Sequence, residues 1–268
     1  MAIHPTAIVD KTAEVHPSAE IGAYAIVEGG ARLGPEVRLY PHAFVGAYTI
    51  LGARCVVHSF AVVGHIPQDL KFRGDESYTE IGEETVIREH ATVHRGTEQG
   101  SRTVVGRRCL IMSTAHVGHS CELGDHVILA NGALVSGHIT VGDRAFISGN
   151  SVVHQFCRIG ELVMVAGLVR VPQDVPPFML LAPAGVACPN VVGLRRAGFT
   201  SEERLEIRKA HRLLYRSGLH FPQAVERIAG LVRTTPGRRL LEFLRQPSKR
   251  GYMTYRGRNV APPDDGES

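Results

Sequence analysis

The sequence predicts an all-β left-handed parallel β-helix followed by a small α-helical C-terminal domain. Two observations carry this. From Ile3 to Val171 every sixth residue is Ile, Val or Leu at 26 of 29 positions, the exceptions being Asp69, Asp75 and Gln99. After Pro172 that register gives way to a cluster of prolines and then to capped stretches with helical spacing.

An amphipathic helix repeats every 3.6 residues and a half-buried strand every two, so neither sustains a period of six. A coil of three short strands does, because each strand turns one branched aliphatic toward a common axis. Three hexads close one coil, and stacked coils bury a continuous aliphatic core. Hexads such as IGAYAI from Ile21, LGDHVI from Leu123 and VGDRAF from Val141 place Gly after the aliphatic. There the corner between strands asks for a small residue or an unusual φ. Cys55, Cys109, Cys121 and Cys157 each lie four residues after a hexad aliphatic, at the other inward position. They are expected to be buried, unreactive thiols.

The β-helix is expected over residues 1–189. Between Val63 and Glu80 the text GHIPQDLKFRGDESYTE loses the pattern while the phase is kept. It reads as either a projecting loop, over about 64–80, or a distorted coil. HRGTEQGSR around Gln99 is a second, shorter irregularity. Loops that leave a rigid scaffold commonly carry function. Pro172, Pro176, Pro177, Pro183 and Pro189 then mark a linker unsuited to regular strand pairing.

The helical domain is expected over 190–250. Thr200 with Glu203 reads as a capping box. Leu205, Ile207, Ala210, Leu213 and Leu214 supply the apolar face, and Gly218 the stop. A second helix is expected from Phe221-Pro222 to about Arg233 and a third over Arg238–Arg245. Residues 251–268, which end NVAPPDDGES, read as a disordered tail.

Composition narrows the class of protein. Gly numbers 29 while aromatics make up 6% and Trp is absent, which suits a thin repetitive structure. No apolar run reaches the length of a transmembrane helix, and the start lacks the features of a secretory signal. Five cysteines without a CxxC pair argue against a disulfide framework or a zinc ribbon. The expected address is cytoplasmic. The net charge of +4 hides an asymmetry, because residues 195–250 hold 14 Lys/Arg against 5 Asp/Glu. That surface could attract an acidic protein, a membrane surface or nucleic acid, or be a plain solvated helical face.

Twelve of the 14 histidines lie in the repeat, none at an inward position. Residues one coil apart should stack at about 4.8 Å. One column then reads Ser101, His119, Gly137, Gln155 and Gln173, with His116, His138 and His154 beside it. A second reads Asn131, Gly149, Gly167, whose glycines would leave a groove without side chains. A wall histidine can act as a general base. A glycine beside it lets a backbone N–H approach a developing oxyanion, and a smooth groove could take a flexible chain. These features suggest acyl transfer from a thioester without naming a substrate.

The hexad run resembles the hexapeptide acyltransferase superfamily. IPQDLKF (Ile66–Phe72), HRGT (His94–Thr97), AHVGHSC (Ala115–Cys121), SGH (Ser136–His138), VHQFC (Val153–Cys157), VPQDVPP (Val171–Pro177) and GLRRAGF (Gly193–Phe199) resemble one family in it. That family is the acyl-[acyl-carrier-protein]–UDP-N-acetylglucosamine O-acyltransferases, which open lipid A synthesis. The resemblance implies that His119 is the base for a sugar hydroxyl and that the Gly137 amide serves the oxyanion. It implies that Gln68, Asp69, Lys71, His116, His138, His154, Gln155, Asn190 and Arg196 contact the nucleotide sugar. It further implies that Gly149 and Gly167 line an acyl groove. The implied assembly is a homotrimer with sites between subunits, whose partners are acyl carrier protein and a UDP-amino sugar. Nucleic acid, membrane insertion, cofactor and metal are not expected. Ser120 stands where many relatives have an acidic residue, so a carboxylate orienting His119 must come from elsewhere. Two alternatives stay open: N-acylation of a 3-amino UDP-sugar, and a zinc hydratase resembling the γ-class carbonic anhydrases. The second fits poorly, since that family pairs ligands as HxxxxH and this chain has His116-x-x-His119.

Overall fold

Each six-residue unit folds as one short strand and one corner, as in Glu20–Ile21, Ile26–Val27 and Arg32–Leu33. In the computed structural model, which describes residues 2–254, successive units fall in turn on three parallel faces. The first face has eleven strands, counting a terminal hairpin, the second nine and the third eight. Strands pair in parallel one coil on, as Ala2 with Glu20 and Glu122 with Thr140. The hexad aliphatics and the small residues two before them meet inside. Leu39, Ile111, Leu129 and Ile147 are fully buried, beside Ala25, Ala115 and Ala145. Each such large side chain contributes about 1.5–3 kcal/mol of burial. Cys55, Cys109, Cys121 and Cys157 share that core, where desolvation pushes their thiols up to about 11 or 12.

Of the two expected reasons for glycine after the aliphatic, the unusual φ does not apply. Positive φ falls two residues further on, at Tyr24, Ser120, His138, Asn150 and Leu168 among others. Cross-coil bonds from many of these corner amides, such as His138 N–H to the His119 carbonyl at 3.0 Å and Ser120 N–H to Thr103 Oγ1, hold that conformation. The other reason, the need for a small residue, holds because the next coil approaches closely. A Cβ at Gly142 would stand 2.5 Å from the Glu161 nitrogen.

The irregular segments are insertions between the second and third faces. Val63 pairs with Val93, thirty residues away, and Thr79 with Thr103, twenty-four away. Strands Val62–His65 and Tyr78–Ile81 stay in the prism. Residues 66–77 are therefore a projecting loop and not a distorted coil. Strand pairing continues across both insertions, with one register shift between Val63 and His65 where the loop leaves.

The proline-rich stretch departs from expectation. It does not stop pairing: Met179–Ala182 adds in parallel to the first face and folds back on Gly185–Pro189 as an antiparallel hairpin. The prolines are tolerated because they sit at corners, at the turn and at the hairpin's free end, where no ladder N–H is needed.

Helix α1, Val191–Arg196, is one the periodicity does not reveal, and it is capped by Asn190. Helix α2, Ser201–Tyr215, opens with the full Thr200–Glu203 capping box. Helices α3, Phe221–Leu231, and α4, Thr235–Arg245, complete the group. Buried Glu206 ties them, accepting from Arg233 N–H, Thr234 N–H and Thr234 Oγ1. The expected tail is corrected at its start: Gly251–Thr254 pack on the last coil. Gly251 and Met253 bond the Asp174 backbone, and the Tyr252 hydroxyl receives Arg158 Nη2–H. Asp174, with no exposure, pairs with the largely buried Arg158 at 2.8 Å and bridges the segment at Tyr252. Residues 255–268 of that expected tail lie outside the described residues.

Candidate active site

The corner between the second and third faces collects the histidine wall. His119 and Gly137 occupy equivalent places one coil apart, so the imidazole lies over the glycine. A Cβ at Gly137 would stand 2.4 Å from His119 Nε2. The His138 ring meets His119 edge to face at 4.9 Å and stacks on Phe156 at 4.9 Å. Lys249, from after α4, places its ammonium 5.1 Å from the Phe156 ring. His154 Nδ1 lies 3.1 Å from the Gln155 carbonyl in the following corner, and the Gln155 side chain is exposed.

The projecting loop folds back to this wall. Asp69 Oδ2 reaches 3.7 Å from His119 Nε2, with both side chains partly buried. That is too long for a hydrogen bond and close enough for the carboxylate to favour an imidazolium. Asp69 is itself fixed by a tight turn, accepting Lys71 N–H on Oδ1 and Phe72 N–H on its carbonyl. Gln68 and Lys71 are exposed on the same turn.

Burial, then the neighbouring His138, lower the pKa of His119 below the ordinary histidine value, and Asp69 opposes them. The shift favours the neutral imidazole, the form able to take a proton. Its Nδ1 is buried without a hydrogen-bond partner, as is Ser120 Oγ. Among the described residues no carboxylate meets Nδ1, and the ring packs on Gly137 and His138. His116 lies on the outward side of the second face, its Nδ1 2.7 Å from Thr92 Oγ1, and meets His94 edge to face at 4.8 Å. His94 is 5% exposed, and its desolvation pushes it down to about 4.

Gly149 and Gly167 fall on a different corner, between the first and second faces. Neither needs glycine for its backbone. A Cβ at Gly167 would meet nothing nearer than the Gly149 carbonyl at 3.5 Å. Exposed Leu134 and Val152 bridge the second face between this corner and His119's.

Comparisons with known proteins accord with this geometry. Residues 102–137 match "Bacterial transferase hexapeptide (six repeats)", and residues 174–253 match "Udp N-acetylglucosamine O-acyltransferase; Domain 2". Over 257 residues the chain is 42% identical to an acyl-[acyl-carrier-protein]–UDP-N-acetylglucosamine O-acyltransferase of Syntrophobacter fumaroxidans, covering 94% of this chain and all of that one. The chain belongs to this acyltransferase family. Solved UDP-N-acetylglucosamine acyltransferases share its fold. The Francisella novicida structure has TM-score 0.91 at 33% identity, covering 94% of each chain. The Moraxella catarrhalis structure has TM-score 0.90 at 38% identity, covering 94% of this chain and 99% of that one.

Two residues that the family resemblance assigns to the nucleotide do not meet His119 within one chain. Asn190 caps α1 and donates from Nδ2 to the Leu162 carbonyl, at the corner between the third and first faces. Arg196 is exposed at the end of the same helix. In this acyltransferase the third face separates both from the histidine wall. Sequence reasoning missed Phe156, although it follows His138 by one coil. It also missed Lys249, for which no repeat or motif gives a signal. The Thr92–His116 contact was hidden because six extra residues shift its register.

Proposed function

We propose that the chain transfers a 3-hydroxy fatty acyl group from acyl carrier protein to the 3-hydroxyl of UDP-N-acetylglucosamine, in the cytoplasm. The observation that carries this is the His119 imidazole lying over Gly137 with the Asp69 carboxylate 3.7 Å from its Nε2. His119 Nε2 takes the hydroxyl proton as the sugar oxygen attacks the thioester carbonyl. The Gly137 N–H donates to the tetrahedral oxyanion. The intermediate collapses, the carbon–sulfur bond breaks, and the imidazolium returns its proton to the departing thiolate. Thiol and ester leave, and no cofactor or metal is needed for the balance. Gln68, Asp69, Lys71, His116, His138, His154 and Gln155 surround the point of attack and hold the nucleotide sugar. The acyl chain runs from His119 over Leu134 and Val152 toward Gly149 and Gly167.

The outer surface supports a homotrimer. Beyond the Glu20–Arg38 pair, outward positions on the first face are largely apolar (Val56, Leu110, Ile128, Phe146), and on the second Ile8, Ile26, Phe44 and Leu134 accompany Thr92, His116 and Arg170. On the third they include Glu14, Arg32, Glu80, Glu122 and Arg158. A closed threefold ring would bury both apolar faces, the second of one copy on the first of the next. That packing brings a neighbour's Asn190 and Arg196 to His119. The basic balance of residues 195–250 suits an acidic carrier protein.

The test offers the protein UDP-N-acetylglucosamine, its 3-amino analogue and a ladder of acyl carrier protein thioesters, with products read by mass spectrometry. A 3-O-acyl product is expected. Preference for the amino analogue would overturn the acceptor assignment.

A further inference from the structure

The strongest unassigned contact near the site is that between Arg95 and Phe72. Asp69 lies on a loop without strand pairing, so its approach to His119 must be fixed by other contacts. Its turn couples two side chains: the bonds that aim the Asp69 carboxylate also set the backbone of Phe72. Arg95 follows directly on the strand Thr92–His94 in the rigid coil, and its N–H donates to the His65 carbonyl at the root of the loop. Its guanidinium carbon lies 5.5 Å from the Phe72 ring centroid, and its Nε is buried without a hydrogen-bond partner. The other root is clipped to the same segment, by Ser77 Oγ donating to the Gly96 carbonyl. The Arg95–Phe72 contact thus reaches the middle of the loop from the coil that carries His94.

We propose that Arg95 is a positioning residue that acts through Phe72 to hold Asp69 against His119. A guanidinium over a ring face is both attractive and stiff, and a supporting contact of this kind decides how tightly a reactive pair is held. The proposal deepens the functional reading above and rests on it for the role of Asp69. His119 is faced by Asp69 from the loop, by His138 from the next corner, and by His116 and His94 from the adjoining strands. Of these, Asp69 is the one that moves when the loop loosens.

The test is a double-mutant cycle with pH profiles. Arg95→Ala should raise the KM for UDP-N-acetylglucosamine about tenfold and move the acid limb of kcat/KM to lower pH, since the imidazole loses its carboxylate. The melting temperature should stay close to that of the wild type. Arg95→Lys should recover part of the loss, because an ammonium can also sit over the ring. Phe72→Leu, which keeps an apolar filler without a ring face, should reproduce Arg95→Ala and serves if that variant folds poorly. On an Asp69→Asn background, Arg95→Ala should add little. Additive losses there, or an acid limb that stays in place in Arg95→Ala and Phe72→Leu, would overturn the proposal while leaving Asp69 its role. Wild-type kinetics in Asp69→Asn alone would remove the functional reading of Asp69 and this proposal with it.

Discussion

Two corners of the same prism carry glycines one coil apart from their neighbours, and they carry them for opposite reasons. At the corner of His119, Gly137 is buried under an imidazole, and a single added carbon would collide with its Nε2. At the corner of Gly149 and Gly167 backbone φ would accept other residues; an added Cβ at Gly167 would meet nothing nearer than 3.5 Å, while one at Gly149 would press on the Asn131 carbonyl at 3.1 Å. The first glycine lets a side chain lie flat on a backbone amide. The second keeps a surface clear. A repeat that looks uniform in sequence can therefore specialise each corner without disturbing its core, because the outward positions are free of the packing that the inward ones must satisfy.

The comparison is broken most directly at His119. His119→Ala should lower kcat about 100-fold or more, the size of a lost general base, while the melting temperature stays near wild type. A variant with near-full turnover would remove the histidine from the chemistry. Gly137→Ala should cost about tenfold or more in kcat, the lower range for a disturbed oxyanion site, because the ring must swing off its glycine. Activity unchanged by this methyl would mean that the overlap has no catalytic role.

Gly167→Met tests the other corner. Each methylene of the acyl chain that loses its buried place costs about 0.8 kcal/mol. The ratio of kcat/KM for long over short acyl donors should therefore fall, with stability and short-chain activity retained. A uniform loss on every chain would assign Gly167 to the backbone instead of the groove. The smallest effect is expected from Ser120→Asp. Position 120 already has φ of 56°, which Asp tolerates better than most residues, and a carboxylate beside the buried Nδ1 would stabilise the imidazolium. Burial holds the His119 pKa below the ordinary histidine value, and the added carboxylate should move the acid limb of kcat/KM up in pH. An unmoved limb would show that Ser120 faces away from the ring.

The hexad register was enough to read the prism, because a fully buried aliphatic every six residues leaves the chain no other way to hide its apolar side chains. It also placed His119 above Gly137 and put His138 and His154 on the same wall, since stacking converts a spacing of one coil into a contact. That arithmetic failed wherever residues were inserted at a corner. The pairing of Thr92 with His116 crosses such an insertion, and the turn that carries Asp69 has no register at all. The sequence also fell short at the end of the solenoid. Its prolines suggested a break, whereas the hairpin from Met179 to Pro189 pairs around them, and Gly251–Thr254 are bonded to Asp174 and Arg158.

What the sequence determined by itself was the periodic part: the core, the faces and the columns. What the tertiary structure decided was every contact between segments without a shared period: Asp69 at His119, Arg95 over Phe72, Lys249 over Phe156 and Asn190 on Leu162. The physical reason is that a repeat transmits position along the chain through identical backbone steps. A loop or a helix returning from far along the sequence is placed only by the surface it finally packs against.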